Sequence, residues 1–209
     1  MNNLVIGASS EITKELSKKI DIIAISKEDF DVRNLSEIDS FVKSIVKKYG
    51  KLDNLIYITG IQNIKPLRVM KIDEIKEMFD INFFGAMMFA KSFASKRVSN
   101  PNSSITFISS IAGIEAESGI LAYSASKGAL NNLTIGLSKE IAPIRVNAIA
   151  PGFMKTKMTE VYTDEFIKEM ENKSSLGLVT PNDVAETIKF LINSSKITGE
   201  IIRIDGGYK

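Results

Sequence analysis

Short β-type apolar runs alternate with amphipathic helical stretches along the whole chain, and this alternation restricts the fold more than any other feature. The predicted strands are Leu4–Ile6, Ile22–Ile25, a short one around Phe30, Asp53–Ile58, Ile105–Ser109, Arg145–Ile149 and Ile201–Ile204. Between them lie helical patterns with readable ends. Residues 36–50 put Ile38, Phe41, Val42, Ile45, Val46 and Tyr49 on one face, with Ser36 able to cap the start and Gly50 at the stop. Residues 180–193 open with Thr180 as cap, Pro181 in the first turn and Asp183 three residues after the cap. Strand–helix alternation of this kind predicts an α/β fold, a doubly wound parallel sheet of seven strands with helices on both faces. No linker or low-complexity segment interrupts it, and 209 residues at 44% hydrophobic content suit a single domain over 1–209.

Composition narrows the chemistry. A formal net charge of +2, with lysines scattered rather than blocked, offers no basic face for nucleic acid. Without cysteine there are no disulfides, thiolate nucleophiles or cysteine metal sites, and nothing marks an oxidising compartment. Without histidine there is no Ser-His-Asp triad and no imidazole ligand, so proton chemistry falls to Tyr, Lys or carboxylates and no metal is expected. The start MNNLVIG lacks the features of a signal peptide. The apolar stretch INFFGAMMFA at 81–90 is too short to span a bilayer. The expectation is a cytoplasmic protein with no membrane partner.

Ligands of doubly wound sheets sit beyond the carboxyl ends of the strands. The first strand-to-helix turn here is GASSEI at 7–12, whose backbone N–H groups suit a phosphate although a single Gly7 is weak evidence. A stronger signal is YSASK at 123–127. Tyr123 and Lys127, four residues apart in a helical pattern, share a face. A phenol titrates near ~10, and an adjacent ammonium favours the phenolate and shifts it toward the working range. In a chain without histidine this pair is the best available proton donor.

GASS at 7–10, Asp31-Val32, Thr59-Gly60, Asn82 in DINFFG, ISSIAG at 108–113, YSASK, RVNAIAPG at 145–152 and ITGEIIRIDGG at 197–207 follow one another in an order and spacing that resembles the short-chain dehydrogenase/reductase family. The resemblance covers essentially the whole chain and is closest to the 3-oxoacyl-[acyl-carrier-protein] reductase type. It implies a Rossmann-type dinucleotide-binding domain and a nicotinamide cofactor. It further implies that Tyr123 transfers the proton to or from the substrate oxygen, and that Ser110, thirteen residues earlier, hydrogen-bonds the same oxygen. Lys127 would lower the tyrosine pKa and hold the nicotinamide ribose, and Asn82 would anchor a water linking Lys127 to solvent. Cofactor contacts carry over to Gly7, Ser9, Ser10, Ile12, Asp31, Val32, Thr59, Gly60, Tyr123, Lys127, Pro151, Gly152, Met154 and Thr156.

The departures from the pattern carry information too. The family's GxxxGxG reads Gly7-Ala8-Ser9-Ser10-Glu11-Ile12-Thr13. A carboxylate at Glu11 about 8 Å from a pyrophosphate would cost about 0.5–2 kcal/mol, which weakens binding without abolishing it. Thr13, where glycine lets the helix approach the sheet, implies a small shift or a small neighbour. The family's NNAG reads Tyr57-Ile58-Thr59-Gly60, and KEDF at 27–30 stands in for a helix and its loops, marking a shortened member. After the second strand come Ser26 and Lys27 with no acidic residue at the strand end itself, which resembles NADP-dependent members and favours NADP(H) over NAD(H).

The expected activity is NAD(P)(H)-dependent reduction of a ketone, a 3-oxoacyl thioester-like and possibly acyl-carrier-bound substrate, to a secondary alcohol. A small cyclic or sugar alcohol dehydrogenase is the alternative. A non-catalytic cofactor-sensing protein ranks lower because Ser110, Tyr123 and Lys127 are all present, and a methyltransferase gives YSASK no role. Met154, Met158, Tyr162, Phe166 and Met170 could line an apolar pocket, though their spacing also suits ordinary packing. The apolar content of 81–93 and the family's habit of association lead to an expected homo-oligomer, a dimer or tetramer.

Overall fold

The computed structural model describes residues 1–208. Its strands are β1 (Asn3–Ile6), β2 (Ile23–Ile25), β3 (Leu52–Tyr57), β4 (Ser99–Ile108), β5 (Arg145–Pro151) and β6 (Ile201–Ile204). Its helices are α1 (Glu11–Ser17), α2 (Ile38–Tyr49), α3 (Ile72–Phe79), α4 (Gly85–Phe93), α5 (Leu121–Glu140), α6 (Asp164–Lys173) and α7 (Pro181–Asn193). One π turn, Asp80–Phe84, joins α3 to α4.

All strand pairs are parallel, in the order β2-β1-β3-β4-β5-β6. Period-two alternation with apolar residues at both parities creates two cores. Leu4, Ile6, Leu55, Tyr57, Ile105, Phe107, Val146 and Ala148 face α2, α4 and α5. Val5, Ile56, Ile58 and Ile149 face α1 and α7. α7 begins as its sequence indicates: Thr180 accepts from the Asp183 N–H, the Asp183 carboxylate accepts from the Thr180 N–H at 2.8 Å, and Pro181 occupies the first turn. Its other end is closed from outside. Arg145 donates to the carbonyls of Leu191 and Ile192 at 2.8 and 2.9 Å, a cation on the negative end of the helix.

Three expectations are corrected. The sheet has six strands, not seven, because Phe30 forms no strand. Residues 26–30 fold into a tight clip in which the Asp29 carboxylate accepts from Ser26 N–H and Oγ–H at 2.9 and 2.8 Å and Phe30 N–H bonds the Ser26 carbonyl. The Phe30 ring then plugs the core, stacked on Phe41 at 4.3 Å and edge-on to Phe89. Ser36 does not cap α2: it lies in a 3₁₀ turn, Leu35–Glu37, that leads into the helix. β4 starts at Ser99 rather than near Ile105, since its first residues extend past the core where no apolar pattern marks them. α2 does stop at Gly50, whose φ of 86° lies in the left-handed region that favours glycine.

Candidate active site

The sheet order reverses between β1 and β3, and a cavity of about 400 Å³ opens beyond the carboxyl ends of β1, β3, β4 and β5. Gly7, Ser9, Ser10 and Ile12 line it from the first turn, and Thr59 and Gly60 from the end of β3. Ser110 follows β4, Tyr123 and Lys127 come from α5, and Pro151, Gly152, Met154 and Thr156 from the end of β5. The expected residues are thus brought together from five parts of the chain. Ser26, Lys27, Asp31, Val32 and Asn82 do not line the cavity.

Local chemistry fixes the first turn. Gly7 has φ 119°, and a Cβ there would sit 3.0 Å from the Thr59 nitrogen, so both conformation and space require glycine. Ser10 caps α1 by accepting from the Ile12 N–H at 3.2 Å. Thr13 is buried and its hydroxyl donates to the Gly7 carbonyl at 2.6 Å, bracing the turn from within. Glu11 lines the cavity and its carboxylate accepts from the Lys157 N–H at 3.3 Å, tying the first turn to the segment after β5.

The polar centre is assembled around α5. Ser109 also reaches the cavity wall, but its buried hydroxyl is spent on Asn131 Oδ1 at 2.6 Å. Ser110 lines the cavity, accepts from the Ala112 N–H at 3.1 Å and lies within hydrogen-bonding reach of the Tyr123 phenol. Tyr123 is buried, and desolvation pushes its phenol up to about 12 against the pull of the Ser110 hydroxyl. Lys127, expected to lower that pKa, stands beside the ring. The ammonium lies 5.8 Å from the Tyr123 ring centre and donates to the Ile108 carbonyl at 2.8 Å, so desolvation dominates. Burial also depresses Lys127, to about 8.

Asn82, wholly buried in the π turn, spends its side-chain amide on structure. Its Oδ1 accepts from Ile61 N–H at 2.8 Å, and its Nδ2 donates to the Ile61 carbonyl at 2.9 Å and to Ser126 at 3.0 Å. Through these bonds Asn82 braces the loop after β3. A Cβ at Gly60 would come 3.2 Å from Asn82 Oδ1 and 3.3 Å from Lys127 Nζ, so the brace also determines how closely that loop approaches the lysine.

Asp31 and Val32, expected as cofactor contacts, lie outside the cavity lining. Arg33 grips the Asp31 carboxylate, with contacts of 3.0 and 2.5 Å, and holds it at about 2, while Val32 is buried in the core. At the end of β2, Lys27 is exposed and the Asp29 carboxylate folds back onto Ser26. The strand end thus does carry an acid, contributed by a residue three positions further on.

One wall is apolar. Phe153, Met154, Met158, Tyr162, Phe166 and Met170 line it. Of these, Phe153 was not singled out by the sequence, where it reads as part of a turn after Pro151-Gly152. Tyr162 stacks on Phe166 with ring centres 4.5 Å apart and planes at 14°, and Phe153 meets both edge-on.

A family model described as Enoyl-(Acyl carrier protein) reductase matches residues 5–209. The chain belongs to the short-chain dehydrogenase/reductase family. It is 34% identical over 182 residues to the 3-oxoacyl-[acyl-carrier-protein] reductase FabG of Thermotoga maritima, covering 85% of this chain and 74% of that one. It is 30% identical over 206 residues to carbonyl reductase family member 4 of Xenopus tropicalis, covering 97% and 85%. Among solved structures, a small-chain dehydrogenase in complex with NADPH superposes with a TM-score of 0.90 at 28% identity, over 99% of this chain and 97% of that one. Within the short-chain dehydrogenase/reductase frame, the nicotinamide dinucleotide fits the observed cradle. Gly7 and Gly60 stand where a Cβ would crowd the backbone or Lys127, and Lys127 has three donors with one acceptor, the Ile108 carbonyl, among the described residues. No helix among the described residues is long and apolar enough to cross a membrane.

Proposed function

We propose that the protein is an NADP(H)-dependent reductase of 3-oxoacyl thioesters. The observation that carries this reading is the convergence of Ser110, Tyr123 and Lys127 on one cavity that also has an apolar wall. When bound, the dinucleotide supplies the hydride. Tyr123, kept protonated by burial, donates its proton to the substrate oxygen as that oxygen gains charge, and Ser110 donates a hydrogen bond to the same oxygen. Lys127 holds the ribose and adds positive charge beneath the phenol. Gly7, Ser9, Ser10, Ile12, Thr59, Gly60, Pro151, Gly152, Met154 and Thr156 form the walls that would hold the dinucleotide.

Support for the substrate class comes from the 3-oxoacyl reductases among the relatives and from the Phe and Met wall, which suits an acyl chain. A polyol would leave its hydroxyls against that wall, which disfavours a sugar alcohol even though one structural neighbour, at 25% identity, is an aldohexose dehydrogenase. Support for NADP(H) is Lys27 beside Ser26, opposed by the Asp29 carboxylate on the same clip. We also propose a homo-oligomer, a dimer or tetramer.

The test is reduction of an acetoacetyl thioester by wild type and Tyr123→Phe with each coenzyme. The variant should lose about 10²- to 10⁴-fold in kcat while binding NADPH as wild type does. Wild type should favour NADPH by about tenfold, the ~1.4 kcal/mol that a charge-assisted bond from Lys27 readily supplies. Substantial turnover by the variant would remove Tyr123 from the chemistry, and a preference for NADH would mean that Asp29 outweighs Lys27.

A further inference from the structure

Besides Tyr123, two phenols line the cavity, Tyr162 and Tyr208, and of these Tyr162 belongs to the apolar wall, where the reaction as described gives it nothing to do. Its ring stacks on Phe166 and meets Phe153 edge-on, and these contacts orient its hydroxyl. The hydroxyl oxygen accepts from Gln62 Nε2 at 3.3 Å, and among the described residues its proton has no acceptor. Burial pushes the phenol above its ordinary range, and the Glu117 carboxylate at the cavity wall pushes the same way, so the proton stays on the oxygen at neutral pH. An oriented donor of this kind, set among the aromatic and methionine side chains of the apolar wall, selects for an acceptor on the ligand.

We propose that Tyr162, held by Gln62 and Phe166, is a specificity-determining residue that donates a hydrogen bond to a second carbonyl of the substrate, the one adjacent to the sulfur of a 3-oxoacyl thioester. This rests on the reaction proposed above. Tyr123 and Ser110 address the ketone to be reduced, Tyr162 addresses the carbonyl that is not, and the acyl chain lies against Phe153 and the methionines. The site thereby distinguishes a 1,3-dicarbonyl compound from a simple ketone of the same length. Glu117 adds a second discrimination, since it opposes a free carboxylate and tolerates a neutral thioester.

Two probes separate this idea from the reaction itself: the acetoacetyl thioester of N-acetylcysteamine, and the same molecule with its thioester carbonyl replaced by methylene. Affinity for each is measured by calorimetry on NADP⁺-loaded protein, and kcat/KM with NADPH, for wild type and Tyr162→Phe. The variant keeps the stacked ring and loses only the donor. It should lose about tenfold in affinity and in kcat/KM for the dicarbonyl probe, with little change for the methylene analogue. An equal loss on both probes, or no loss on either, overturns the assignment. If Tyr162→Phe does not fold, Gln62→Leu, which frees the phenol from its support, must give the same selective loss or the assignment fails. Selective loss of binding without turnover of either probe by wild type would sink the reductase reading and leave the recognition standing. Turnover of both with an unselective loss would do the reverse.

Discussion

Lys127 brings a positive charge into a place where charge is costly. Its ammonium is buried, with the Ile108 carbonyl as its acceptor, and its pKa falls from 10.5 to about 8. Because the folded value lies below the unfolded one, the unfolded chain binds more protons between about pH 8 and 10.5, and the contribution of this residue to stability rises across that window. At pH 7 the whole penalty is present. Lys127→Met removes the charge, keeps the volume and forfeits one hydrogen bond, so it should stabilise the fold by about 2 kcal/mol at pH 7. Denaturant midpoints at pH 7 and pH 10 check this, since the advantage should shrink toward the higher pH. A variant less stable than wild type at pH 7 would mean that the Ile108 bond outweighs the desolvation. The same substitution should end turnover, so function and stability pull apart at this side chain. Tyr123 and Lys127 are legible in the sequence because a helix repeat places them together. That burial governs both of their pKa values is not, because burial depends on strands far away in the chain.

At the scale of elements, the first turn and the segment after β5 act on each other. Glu11 at the start of α1 accepts from the Lys157 N–H across the cavity mouth, while Thr13 braces the same turn through the Gly7 carbonyl. A dinucleotide pyrophosphate in this turn meets the Glu11 carboxylate as a like charge. Glu11→Gln keeps an acceptor for Lys157 and removes the charge, so NADPH should bind about 2- to 30-fold more tightly, with the larger effect at low salt. Fluorescence titration at two ionic strengths measures it. An unchanged or weakened affinity at low salt would place the carboxylate away from the phosphates. Much of the element order can be read from the sequence, because strands with apolar residues at both parities have to lie between two helical layers. Phe30 misleads because an aromatic residue in a short apolar context looks the same whether it extends a strand or plugs a core. The polar start of β4 carries no pattern to read. The apolar wall is visible as spaced Met and aromatic residues, yet the Tyr162 hydroxyl gains its meaning from Gln62, a hundred residues earlier, which sequence spacing does not connect.

For the whole molecule, the surface that remains apolar after folding is informative. Phe84, at the entry to α4, and Leu121 and Ile135, on α5, stay 37%, 45% and 40% exposed. Leu121 and Ile135 are fourteen residues apart on one helix, close to four turns, and so lie on the same side of it. Self-association through this side would bury them, and light scattering at micromolar concentration should report a dimer or tetramer. Ile135→Glu should shift the mass toward monomer, and a wild-type monomer would end the idea. The opposite margin of the sheet is finished differently. β2 is three residues long and has a neighbour on one side only. The next amide, Ser26 N–H, is already taken by Asp29, and the Ser26 carbonyl by Phe30 N–H. An incoming strand from another chain would therefore find too few free donors and acceptors to pair with. A sheet that stops one strand early is thus protected against edge-to-edge aggregation, and the clip that takes the place of the missing strand supplies that protection.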